Sequence, residues 1–128
     1  MKKLILLLLA VMMFTACGHT KENDQETVYM NITAQEAKKI MDREEGYIIL
    51  DTRTQEEYDE GHIPGAIVIP HDEITDRAEE ELPDKDQLLL VYCRSGRRSK
   101  LAAEALVELG YTNIKEFGGI IGWPYEVE

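Results

Sequence analysis

Two uninterrupted apolar runs, Tyr47-Ile48-Ile49-Leu50 and Leu88-Leu89-Leu90-Val91-Tyr92, each deliver a chemically capable side chain at their end, Asp51 and Cys93. A strand with one wet face alternates apolar and polar residues. A run without alternation is buried on both faces, as in a parallel sheet covered by helices. That requirement narrows the fold more than any other feature.

Helix signals fill the intervals between the apolar runs. Residues 29–32 read as a short entry strand. Thr33-Ala34-Gln35-Glu36 is a capping box with Ile32 as staple, and Ala37, Ile40 and Met41 share one face of the helix it opens. Thr54-Gln55-Glu56-Glu57 is a second capping box, for a short helix ending at Glu60 with Gly61 as C-cap. His62-Ile63-Pro64-Gly65 is a turn, residues 66–69 a strand closed by Pro70, and residues 72–82 a charged helix with Ile74, Ala78 and Leu82 inward. After the Pro83-Asp84 break and the 88–92 strand, residues 99–109 form a helix capped by Gly110. Residues 114–117 are the last strand, and Gly118-Gly119 turns into a short terminal helix or turn holding Trp123. The expected fold is a three-layer α/β domain whose mainly parallel central sheet is flanked by helices, with its site beyond the carboxyl ends of the strands.

The segment Cys93-Arg94-Ser95-Gly96-Arg97-Arg98-Ser99 joins the second apolar run to a helix. Successive backbone N–H groups then point at the sulfur, and the helix N-terminus adds partial positive charge. Both favour a thiolate. A cysteine after a strand is often a small core residue, but Arg94, Ser95, Gly96, Arg97 and Arg98 cannot build an apolar core.

Further motifs stand around this loop in a fixed order. They are Asp51-Thr52-Arg53, Glu57-Tyr58, Gly61-His62-Ile63-Pro64-Gly65-Ala66, the cysteine loop, Gly110-Tyr111, Gly118-Gly119-Ile120 and Trp123. From Tyr29 to the C-terminus the chain resembles a single-domain rhodanese, a sulfurtransferase. The resemblance implies that Cys93 takes the outer sulfur of a donor such as thiosulfate, becomes a persulfide and passes that sulfur to cyanide or a thiol. It implies that the amides of Arg94, Ser95, Gly96, Arg97, Arg98 and Ser99 cradle the persulfide, and that Arg94, Arg97 and Arg98 attract the anionic donor. Cysteine phosphatases of related fold resemble a Cys-x5-Arg pattern. Here the fifth residue after Cys93 is Arg98 and the sixth is Ser99, so the loop has the shorter, sulfurtransferase size.

Asp51 and Arg53 read as structural rather than catalytic: a buried carboxylate bonding loop amides, and an arginine pairing with an acid such as Glu57. His62 belongs to a fixed turn, where it bonds backbone rather than acting as a base. No set of His, Cys, Asp and Glu has metal-site spacing, no glycine-rich nucleotide motif is present, and no cofactor is expected.

The chain of 128 residues carries a formal net charge of −11, which argues against nucleic-acid binding. Against that background the cluster Arg94, Arg97, Arg98 and Lys100 reads as a local anion funnel. At the N-terminus, Met1-Lys2-Lys3 and an apolar stretch over 4–14 read as a secretory signal, too short to span a bilayer. Phe14-Thr15-Ala16-Cys17 resembles a lipobox, with Phe14 departing from the usual leucine-like residue. The expected division is a lipoprotein-type signal over 1–16, lipidated Cys17 with a polar tether over 17–28, and the domain over 29–128. The domain would then be exported and membrane-anchored on the outer side. Cys17 and Cys93 are not expected to pair. Two other readings stay open: a persulfide carrier or interaction module without turnover, and a redox-sensing thiol.

Overall fold

The computed structural model describes residues 28–128. Its elements, in chain order, are β1 (Met30–Asn31), α1 (Ala34–Arg43), β2 (Ile48–Asp51), α2 (Gln55–Glu60), β3 (Ile67–Val68), α3 (Ile74–Glu81), β4 (Leu89–Cys93), α4 (Arg97–Glu108) and β5 (Ile114–Gly119). Short 3-10 turns span His71–Glu73 and Ile120–Gly122. The expected leader, the expected lipidation site Cys17 and the tether up to residue 27 lie outside the described residues. Among the described residues no helix is long and apolar enough to cross a membrane.

The five strands form one sheet in the order β1-β5-β4-β2-β3, and every strand pair is parallel. The pattern of β4 explains its lack of alternation. Leu89 and Val91 pack with Ile74, Ala78, Ala102, Ala103 and Leu106 from α3 and α4. Leu90 and Tyr92 pack on the other face with Ala37, Ile63, Phe117 and Trp123. All five β4 residues are buried. The domain is thus three layers with the sheet in the middle, and Cys93 stands at the carboxyl end of its central strand.

Local chemistry sets the boundaries. The Thr54–Glu57 capping box is complete, with both reciprocal bonds present. At Thr33 only half forms: its hydroxyl oxygen accepts from the Glu36 N–H at 3.1 Å, while the Glu36 carboxylate takes the Thr33 hydroxyl. The helix expected from residue 72 begins at Ile74, preceded by a tighter turn in which the Glu73 N–H bonds the Pro70 carbonyl. Helix α4 begins at Arg97, earlier than the sequence pattern suggests. Gly96, at φ +105, reverses the chain in one residue, a left-handed conformation that glycine adopts without a Cβ clash. The connection from strand to helix is therefore only Arg94, Ser95 and Gly96.

Candidate active site

Cys93 is 1 % exposed and is the free cysteine among the described residues. Its sulfur accepts a hydrogen bond from the Gly96 N–H at 3.0 Å. Of the amides expected to cradle the sulfur, Gly96's is the one in contact. Gly96, the N-cap of α4, has no side chain to cap the first turn, so the positive end of this 12-residue helix is turned toward the sulfur loop.

The end of β5 closes the loop from the other side. The register between β4 and β5 slips after Val91, which faces Glu116, so that Cys93 faces Gly119. Such a bulge redirects backbone beside a site. Gly119 comes so near that a Cβ there would stand 2.0 Å from the Arg94 carbonyl oxygen, and the Ile121 N–H bonds that same oxygen at 3.2 Å. The sequence suggests a turn at Gly118-Gly119; in the fold this pair is the floor against which the cysteine loop is pressed.

Buried polar groups hold the frame. Asp51 is fully buried and accepts from the Arg53 N–H (2.9 Å), the Arg53 guanidinium (2.7 Å) and the Tyr92 hydroxyl (2.8 Å). Arg53 also donates to the Gly61 carbonyl at 2.6 Å, and the Tyr92 oxygen accepts from the Ile63 N–H at 3.1 Å. Burial opposes the Arg53 charge, yet its bonds to Asp51 outweigh that and raise its pKa. Burial pushes the Tyr92 phenol well above its ordinary value, so it remains a neutral donor. Together these residues fix the 61–65 turn to the carboxyl ends of β2 and β4. His62 lies in that turn, stacked on Tyr58 at 3.8 Å with its Nδ1 2.9 Å from the Tyr58 carbonyl oxygen. It makes no hydrogen bond to Cys93.

One expected pairing is exchanged. Arg53 pairs with Asp51 rather than with Glu57, because both lie at the buried end of β2. Glu57 is taken by Arg98, whose guanidinium donates to both carboxylate oxygens at 2.6 and 2.8 Å. Those bonds hold Arg98 firmly protonated. Arg98 thus belongs to the frame, whereas Arg94, Arg97 and Lys100 are exposed and form no ion pair among the described residues. A cleft of about 380 Å³ beside the loop is lined by Gln35, Arg94, Ser95, Phe117, Gly119 and Ile121.

Sequence reasoning missed Glu116. It is 2 % exposed, and its Oε1 lies 2.7 Å from the Ser99 hydroxyl and 2.8 Å from the Gly118 nitrogen. Beside Lys115, in Ile114-Lys115-Glu116-Phe117, it reads as an ordinary polar strand residue, and its burial comes only from the approach of α4. Among the described residues no cluster of His, Cys, Asp and Glu could hold a metal.

A buried strand ending in a single cysteine, a three-residue loop bearing Arg94 and a helix N-terminus turned toward it define an α/β domain built around one nucleophilic sulfur. The chain belongs to the rhodanese-like domain family, whose model matches residues 33–124. It is 42 % identical over 71 residues to a thiosulfate sulfurtransferase, PspE, of Escherichia coli K12, an alignment covering 56 % of this chain and 68 % of that protein. It is 36 % identical over 88 residues to a sulfurtransferase of Allochromatium vinosum, covering 68 % and 79 %. A solved rhodanese with anions from E. coli superposes with a TM-score of 0.60 at 36 % identity, covering 64 % of this chain and 96 % of that one. The Alr3790 protein of Anabaena gives 0.70 at 28 % identity, covering 76 % and 90 %. Family and relatives support sulfur transfer as the general activity.

Proposed function

We propose that the domain is a thiosulfate sulfurtransferase working through a Cys93 persulfide. The observation that carries this reading is the Gly96 N–H held 3.0 Å from the Cys93 sulfur at the N-terminus of α4. The Cys93 thiolate attacks the outer sulfur of thiosulfate. A bond forms between the two sulfurs, the sulfur–sulfur bond of thiosulfate breaks, and sulfite leaves with the electron pair. Cyanide or a thiolate then attacks the outer sulfur of the persulfide and regenerates the Cys93 thiolate, with thiocyanate or a new persulfide as product. Donor, leaving sulfite and persulfide are all anionic, which suits the exposed cations Arg94, Arg97 and Lys100 and the amides of the first turn. No cofactor takes part in these steps.

Continuous thiocyanate release from thiosulfate and cyanide, proportional to enzyme and absent in Cys93→Ala, is the expected result. Loading of one sulfur per chain without turnover would replace the enzyme with a carrier. Oxidation of Cys93 by peroxide with no sulfur uptake would favour the redox-sensing reading.

The leader sequence supports an exported, lipid-anchored protein with Cys17 as the modified residue. Expression of the full chain with a labelled fatty acid should place label and protein in the membrane fraction, and Cys17→Ser should release both. A soluble, unlabelled full chain would remove this reading.

A further inference from the structure

Glu116 is a buried acid that the sulfur-transfer steps leave unused. It sits on β5, paired with Val91 of β4, the strand that ends in the nucleophile. Its Oε1 is shared by two donors on opposite sides of the sulfur loop: the Ser99 hydroxyl, in the first turn of α4, at 2.7 Å, and the Gly118 N–H at 2.8 Å. Ser99 is fully buried, and its oxygen lies 3.0 Å from the carbonyl oxygen of Gly96. Gly96 is the residue whose N–H reaches the Cys93 sulfur. Gly118 lies against Gly96 from the other side, with its Cα 3.6 Å from where a Gly96 Cβ would stand.

From this arrangement we propose that Glu116 is a positioning residue for the nucleophile. By accepting from both Ser99 and Gly118, one oxygen holds the first turn of α4 and the end of β5 at a fixed separation. That separation sets the direction of the Gly96 N–H. Gly96 sits in the left-handed region, where its peptide can swing more freely than that of a residue with a Cβ. Without the Glu116 acceptor, the donor aimed at the sulfur loses its aim. The role needs an acceptor oxygen and not a negative charge, since both of its partners are neutral donors. The proposal rests on Cys93 being the reactive sulfur.

That distinction supplies the test. Glu116→Gln and Glu116→Leu both remove the ionisable carboxyl group, and only Gln keeps an acceptor oxygen. The first readout is the pH profile of Cys93 alkylation by iodoacetamide, which does not depend on sulfur transfer. The Leu variant should have its midpoint about one pH unit above that of the Gln variant, as loss of a hydrogen bond to the anionic form requires. With thiosulfate and cyanide, the Leu variant should lose roughly 10- to 100-fold in kcat while KM changes less than about threefold, and the Gln variant should stay within about threefold of wild type in both. Ser99→Ala, which leaves Glu116 in place, should move the midpoint in the same direction and serves if Glu116→Leu does not fold. Coincident alkylation profiles for Gln and Leu, or for Ser99→Ala and wild type, would overturn the proposal, as would a loss confined to KM. If the wild type transfers no sulfur, the sulfurtransferase reading fails while the alkylation profiles still decide the role of Glu116.

Discussion

Arg98 and Glu57, 41 residues apart, form a two-pronged ion pair that ties the first turn of α4 to the first turn of α2. Glu57 serves twice there, since its carboxylate also completes the capping box with Thr54. A cation in the first turn of a helix opposes the helix dipole at a cost of about 0.3–1 kcal/mol. Arg98 offsets that cost through Glu57.

The pair makes a prediction about acid stability. The Arg98 hydrogen bonds are the main reason that Glu57 is held well below the ordinary carboxylate value of 4.5, at about 2. A depressed folded value stabilises the fold above the unfolded value, and that stability is lost as pH falls toward the folded one. Both side chains are 27 % exposed, so screening limits the contribution to about 1 kcal/mol. Glu57→Gln should be less stable than wild type by about that amount at neutral pH, with the gap closing between about pH 5 and pH 2. Urea denaturation across this range measures it. Parallel stability curves would show that the pair contributes nothing.

A methyl group at Gly119 should do far more harm than one at Gly122. Gly119 has φ −126, which any residue adopts. The obstacle is the Arg94 carbonyl, 2.0 Å from the new carbon, while nothing lies within 4 Å of a Cβ at Gly122. Since backbone must move, Gly119→Ala should cost about 3 kcal/mol or displace the cysteine loop, and Gly122→Ala should stay within about 0.5 kcal/mol. Thermal melts of the two variants decide this.

Tyr92→Phe should destabilise the domain without touching the nucleophile. It deletes a hydroxyl that donates to Asp51 and accepts from the Ile63 N–H, leaving both buried groups short of a partner. The expected loss is about 1–3 kcal/mol. An unchanged urea midpoint would mean that the turn over 61–65 is held by other bonds.

The exchange of partners around Glu57 reassigns the work of the arginines. Arg94→Ala and Arg97→Ala should raise KM for thiosulfate roughly 3- to 10-fold with little change in kcat, an effect that fades with added salt as for any exposed charge. Arg98→Ala should lower stability more than it alters KM. If Arg98→Ala alone raised KM, its pairing with Glu57 would have to be absent in solution.

Much of the frame is legible in the residues themselves. The apolar runs locate β2 and β4, and Thr54 with Glu57 marks the start of α2 to the residue, because these signals act over one helical turn or one strand. What is not legible depends on approach between distant segments. Nothing local says that Arg53 turns back to Asp51 and leaves Glu57 for Arg98, or that Glu116 of β5 reaches Ser99 of α4. The start of α4 was also hidden. Arg97 and Arg98 look like loop residues until Gly96 adopts its left-handed conformation and allows a helix to begin immediately after it.

The central claim is tested most directly by intact mass spectrometry of the domain beginning after Cys17, incubated with thiosulfate and then with cyanide. Wild type should gain the mass of one sulfur atom, mapped to Cys93, and lose it on cyanide with release of thiocyanate, while Cys93→Ala stays unchanged throughout. Folded wild-type protein that takes up no sulfur, or a Cys93→Ala variant that does, would contradict the account.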